Sequence, residues 1–180
     1  MNPATNGDAR VTSTEAAPSA FRFVTDWQSI DPAEADAIRE FWRSEGALSE
    51  EAHMSARLQQ LVMHARDGDK VAAVCTAVAM TPPALGQPVY YYRSFVGKAW
   101  RTTTLVEKLL RRAQKLLEDH ARENNFPCIG ILLELEGARF KDKGRMPVWP
   151  HTGFVYIGKS GRGLESRVYY FKGARLKAAK

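Results

Sequence analysis

The sequence predicts a single α+β domain. Short apolar runs with strand character recur along the chain, and three other segments carry apolar residues at helical spacing. Their order is strand, two helices, two or three strands, helix, buried strand and a closing pair of strands. The chain has 180 residues, 44% of them hydrophobic, which is enough for one continuous core.

Residues 1–20 are rich in Ala, Thr, Ser, Asn and Pro and read as a disordered or flexible tail. The folded domain is expected over 21–175, followed by a short basic tail at 176–180. Phe21-Arg22-Phe23-Val24 alternates and reads as the first strand. Asp31 before Pro32 is a helix start, with the aspartate as N-cap and the proline at the first helical position. That helix sets Ile38, Phe41 and Trp42 on one face and ends near Gly46. Ser49 is expected to cap a second helix through Met54, Leu58, Leu61, Val62 and Ala65, broken at Asp67-Gly68-Asp69. Val71 to Met80 fits a buried strand that Pro82-Pro83 ends. Gln87 to Val96 is the next strand, and a long helix follows from about Thr103 to Glu123. Cys128 to Leu135 is almost wholly apolar, as a central strand covered on both faces would be. Residues 137–150 show no period and read as a loop. Gly153 to Ile157 and Arg167 to Phe171 close the domain as strands, joined by a Gly-rich hairpin around Lys159 to Gly163.

The formal net charge of +6 favours anionic partners such as cofactor phosphates or nucleic acid. The two cysteines, Cys75 and Cys128, each sit in an apolar run and read as buried hydrophobes, so no metal site is expected. No run of 18 apolar residues predicts a membrane span, and no signal-peptide core is visible, so a cytoplasmic location is expected.

The chemistry begins at Ser94-Phe95-Val96-Gly97-Lys98-Ala99-Trp100-Arg101-Thr102-Thr103-Thr104-Leu105-Val106. A strand that feeds a helix through such a turn aims unpaired N–H groups and the positive end of the helix dipole at one point. That is an anion site, most often for phosphate. The nucleotide-triphosphate loop with Lys-Ser/Thr and the dinucleotide pattern of spaced glycines are both absent. The bland account of the three threonines is an N-capping cluster with no ligand.

In this order, four segments resemble the GNAT N-acyltransferase superfamily over about residues 21–175. They are Arg66-Asp67-Gly68-Asp69-Lys70-Val71, Phe95-Val96 through Val106, Cys128 to Glu136, and Thr152-Gly153-Phe154. The resemblance implies a mixed, mostly antiparallel central sheet with helices on both faces. It also implies acetyl-CoA or another acyl-CoA as cofactor, with its pyrophosphate on Arg101, Thr102, Thr103, Thr104, Leu105 and Val106. Thr104 and Val106 depart from the family's small Gly or Ala, and the threonine side chain narrows the approach to phosphate. The strand ending at Phe95 and Val96 is expected to splay from the strand at Ile129 to Leu135, leaving a gap for the pantetheine arm.

Acyl transfer to an amine needs a proton acceptor, and Glu134 and Glu136 at the end of the buried strand face the same side. The alternative is that each pairs with a basic residue such as Arg139 or Lys141. Many family members carry a tyrosine thiolate donor where Trp149 stands, which leaves His151 and Tyr156 as candidate replacements. Tyr90 and Tyr92 share one strand face, Tyr91 and Arg93 the other; sheet packing explains such a stripe, and Tyr92 is taken as a substrate contact.

The amine acceptor has fewer clues. Arg139, Lys141, Lys143 and Arg145, interleaved with Phe140 and Trp149, suit a phosphate backbone with a stacked base, or else form a solvated basic loop. The ending Trp-Pro-His-Thr-Gly-Phe, then Gly-Lys-Ser-Gly-Arg-Gly, is similar to a Mom-type phage branch that modifies bases in DNA. The acceptor contacts expected are Tyr92, Arg139, Lys141, Arg145 and Trp149, in a monomer or homodimer. Two other functions fit: a small-molecule or protein N-acetyltransferase, and a nucleic-acid-binding module that has lost catalysis.

Overall fold

The computed structural model describes residues 21–101, 104–136 and 146–177. The tails expected at either end, Thr102, Thr103, and Arg139, Lys141 and Arg145 in the basic segment lie outside the described residues, wholly or, for the C-terminal tail, in part.

Seven strands form one sheet in the order β1-β2-β3-β4-β5-β7-β6. They are β1 (Arg22–Thr25), β2 (Leu61–Asp67), β3 (Lys70–Met80), β4 (Val89–Val96), β5 (Gly130–Glu134), β6 (Val155–Lys159) and β7 (Glu165–Tyr170). Neighbours are antiparallel except β4 and β5, which run parallel. Helices α1 (Pro32–Ser44) and α2 (Glu51–Leu58) cover one face, and α3 (Leu105–Glu123) covers the other. This is the α+β, mixed and mostly antiparallel arrangement expected.

Local chemistry explains most elements. Asp31 Oδ1 accepts from the amides of Ala33, at 2.8 Å, and Glu34, so the cap forms as expected. Helix α1 buries Ala35, Ile38, Phe41 and Trp42 against Val71 and Val74 of β3. Helix α3 presents Leu105, Leu109, Leu110, Ala113 and Leu117 to the opposite face, where Ala73, Cys75 and Ala77 leave room for it. Both thiols are buried and free, and burial pushes each pKa up to about 12.

The second helix is corrected. It stops at Leu58, Glu50 rather than Ser49 occupies its N-cap position, and Leu61, Val62 and Ala65 belong to β2. A short run apolar on every side fits a helix or a strand equally by spacing. All five residues from Leu61 to Ala65 are buried, because β2 lies between β1 and β3 under both layers. Gly68, at φ +56°, lets β2 turn back into β3 at the Asp67–Lys70 pair.

The sheet is not joined evenly. Strands β3 and β4 register over eight pairs, from Met80↔Val89 to Ala73↔Val96. Strands β4 and β5 register over two, Tyr90↔Ile131 and Tyr91↔Leu132. Beyond Leu132, β5 stays with β7 as far as Glu134↔Ser166. Gly130 is fixed in this arrangement: a Cβ there would lie 2.2 Å from the Tyr169 carbonyl oxygen.

Candidate active site

The parting of β4 from β5 builds the site. The Gly97 amide donates to the Ala72 carbonyl at 3.0 Å, which sets the alternation along the β3–β4 ladder. Phe95 and Arg93 therefore turn their main-chain groups toward β3, while Ser94 and Val96 turn theirs toward β5. Strand β5 has already left, so the Ser94 groups and the Val96 amide open on a gap, while the Val96 carbonyl accepts from Arg101. The sequence reading placed this gap at Phe95 and Val96; Ser94, not singled out there, shares the exposed edge with Val96.

The turn below the gap is held from three sides. The Lys98 amide donates to Glu45 Oε2 at 3.0 Å, the Trp100 indole N–H donates to Asp67 Oδ2 at 2.8 Å, and Arg101 Nε donates to the Val96 carbonyl at 3.1 Å. Gly97 sits so close that a Cβ would meet the Trp100 ring at 2.9 Å. The Arg101 guanidinium lies 5.6 Å from the centre of the Phe95 ring, on the exposed side of the turn. Thr104 takes the N-cap position of α3 but makes no side-chain cap bond, and the Val106 side chain is exposed. The capping-cluster account therefore fails at Thr104. The start of α3, at the positive end of its helix dipole, can receive an anion with Arg101 beside it. An acyl-CoA fits this donor set: an open strand edge for amide groups, then a cationic helix start for phosphate.

Glu134 ends β5 on the face shared with Tyr91, with its side chain 13% exposed. The Tyr91 hydroxyl donates to Glu134 Oε2 at 3.0 Å, and Arg162 Nε lies 3.4 Å from the same oxygen. Arg162 also pairs with Glu136 Oε1 through its other nitrogen. The partner expected for these carboxylates was Arg139 or Lys141; Arg162, from the β6–β7 hairpin, holds both. Burial pushes the Tyr91 phenol above its ordinary pKa, the Arg93 side chain opposes that, and the bond to Glu134 adds to it.

Other expected site residues fall elsewhere. Tyr92 is buried under α3, its hydroxyl beside the Cys75 thiol, so its side chain does not reach the cleft surface. Tyr91, itself buried, and the half-buried Arg93 lie on the opposite strand face, with Glu134. His151 lines an open polar groove of about 530 Å³ with Arg111, Gln114 and Lys115 of α3, across the sheet from Glu134. Tyr156 is 42% exposed on β6, opposite Arg167 of β7. Among the described residues, no hydrogen bond or ion pair joins His151 or Tyr156 to Glu134. Trp149 packs 6.1 Å from Phe154, with the buried Arg167 guanidinium 4.6 Å from its ring centre.

No protein-family model and no curated protein matches the chain. Solved structures match its fold. An acetyltransferase of the GNAT family from Streptococcus pneumoniae gives a TM-score of 0.60 at 13% identity, over 84% of this chain and 99% of that one. The ribosomal-protein-S5-alanine acetyltransferase of Vibrio fischeri gives 0.58 at 10% identity, over 86% and 95%. Arabidopsis thaliana NAA60 in complex with acetyl-CoA gives 0.51 at 14% identity, over 84% and 100%. The chain has the GNAT fold, and these structural neighbours are N-acetyltransferases.

Proposed function

We propose that this protein is an acyl-CoA-dependent N-acyltransferase that moves an acyl group, acetyl in the simplest case, onto a primary amine. One observation carries the reading: β4 and β5 part immediately after Tyr91↔Leu132, directly before the turn that opens α3. A parallel pair that opens this way leaves main-chain donors and acceptors without partners in the middle of a sheet, which is costly unless a ligand meets them.

In this reading the main-chain groups of Ser94 and the Val96 amide bond the amide groups of the pantetheine arm. Arg101, Thr104, Leu105 and Val106, with Thr102 and Thr103 by the resemblance, hold the pyrophosphate. Acyl-CoA supplies an activated thioester carbonyl, and a main-chain N–H at the gap polarises its oxygen as charge develops. Glu134 takes a proton from the incoming amine, directly or through water, while Tyr91 and Arg162 fix its carboxylate. The amine nitrogen bonds to the acyl carbon, the C–S bond breaks, and the sulfur leaves as thiolate. Solvent at the open cleft protonates it.

A nucleobase amine in DNA remains one acceptor within this reading, resting on Arg139, Lys141 and Arg145. The test is calorimetric titration with acetyl-CoA, then mass spectrometry of amine panels that include aminomethylated nucleosides in DNA. Arg101→Ala is expected to weaken acetyl-CoA binding about tenfold, as loss of a charge-assisted contact would. A wild-type protein that ignores acetyl-CoA but binds DNA would replace this reading with that of a binding module.

A further inference from the structure

Strand alternation brings Arg93 to the same face as Tyr91, and its guanidinium lies 4.4 Å from the centre of the Tyr91 ring. Arg57 reaches the same place from α2, half-buried, near Arg93, Tyr91 and Glu136. Burial first, and then repulsion from Arg93, pull Arg57 below its ordinary pKa. Both carboxylates at this end of the cleft are already held by Arg162. Among the described residues neither Arg57 nor Arg93 has a carboxylate within ion-pair distance. The result is three guanidinium groups around two carboxylates, with the half-buried Arg57 and Arg93 near enough to repel one another. Such a pair is unfavourable until an anion settles against it.

We propose that the acceptor is an anionic amine, with its carboxylate or phosphate gripped by Arg57 and Arg93 and its amino group directed at Glu134. The planar forks of two arginines suit either oxyanion, and stacking on Tyr91 holds Arg93 in place before the ligand arrives. The Tyr91–Glu134 hydrogen bond then ties the anion grip to the proton acceptor through one side chain. The fate of the amine rests on the acyl-transfer reading above; the anion grip stands without it.

Two measurements separate these claims. The first follows the arginine Nε–H signals of the full chain by NMR, assigned with Arg57→Gln and Arg93→Gln. It titrates glycine, glutamate and 2-aminoethyl phosphate against counterparts that lack the anionic group, glycinamide, glutamine α-amide and ethanolamine. The Arg57 and Arg93 signals are expected to move with the acids and stay still with the counterparts. No movement with any acid overturns the proposal, whether or not acetyl-CoA binds. The second measures acetylation of the same pairs. Preference for the acid member is expected to fall about 10- to 100-fold in each variant, with acetyl-CoA affinity unchanged. Equal turnover of the acids and their counterparts also overturns it. Carboxylates or phosphate alone being accepted tells the two oxyanions apart.

Discussion

Two charged clusters lie on the same face of the sheet and differ in balance. Between β1, β2 and α1, the buried His64 Nδ1 lies 2.7 Å from Asp26 Oδ2, and its Nε2 lies 3.1 Å from Glu34 Oε2. Glu34 in turn pairs with the Arg66 guanidinium. Two carboxylates face His64, Arg66 and, at 3.9 Å from Glu34, Arg22, so each of these basic groups meets a carboxylate where β1, β2 and β3 stay paired. At the β4–β5 parting, three arginines surround two carboxylates, and two of the arginines have no carboxylate of their own among the described residues. A cluster whose basic groups each have a carboxylate, where neighbouring strands stay paired, fastens α1 to the sheet. The unbalanced one, where the ladder opens, is suited to receive a ligand.

Breaking one carboxylate in each cluster should therefore damage different properties. Glu134→Gln keeps the shape and removes the proton acceptor, so kcat is expected to fall by about 10²- to 10⁴-fold with acetyl-CoA affinity unchanged. Steady-state kinetics and calorimetry check it; a kcat within threefold of wild type (roughly half a pK unit of lost driving force) would move the base elsewhere. Asp26→Ala leaves the buried His64 without its closest carboxylate, and removal of one partner from a buried pair costs about 3–5 kcal/mol. Urea denaturation measures that loss, and an unchanged midpoint would show the pair contributes nothing to the clamp.

The smallest effect sharpens the same contrast through pH. The Arg66 hydrogen bond, first among several causes, holds the Glu34 carboxyl below its ordinary 4.5, against the upward push of burial. A depressed folded-state pKa adds stability that is complete above the unfolded value and is lost as pH falls through the folded one. Stability should thus decline below about pH 4.5, and Glu34→Gln should flatten that decline when denaturation curves at roughly pH 5.5 and 3.5 are compared. An identical slope in the variant would assign the acid sensitivity to other groups.

The legible parts of the molecule were those where local chemistry decides. Asp31-Pro32 specified its helix start because an N-cap and an N1 proline act within one turn. The turn from Phe95 to Thr104 was legible because strand, small loop and amphipathic helix follow one another directly. Leu61 to Ala65 was misread because full burial removes the periodicity that separates helix from strand. The burial of Tyr92 under α3 was not legible for a related reason: alternation divides the stripe into two faces but does not say which face meets α3.

By itself, then, the sequence determined the α+β class, the strand–turn–helix run from Phe95 into α3 and the placing of Glu134 and Glu136 at a strand end, since each follows from local patterns of residues. Only the tertiary structure decided that Arg162 meets those carboxylates, and that Arg57 and Arg93 lie near them. Those contacts join α2, β4, β5 and the β6–β7 hairpin. Their partners are chosen by sheet order and by where β4 leaves β5, which no local pattern of residues encodes.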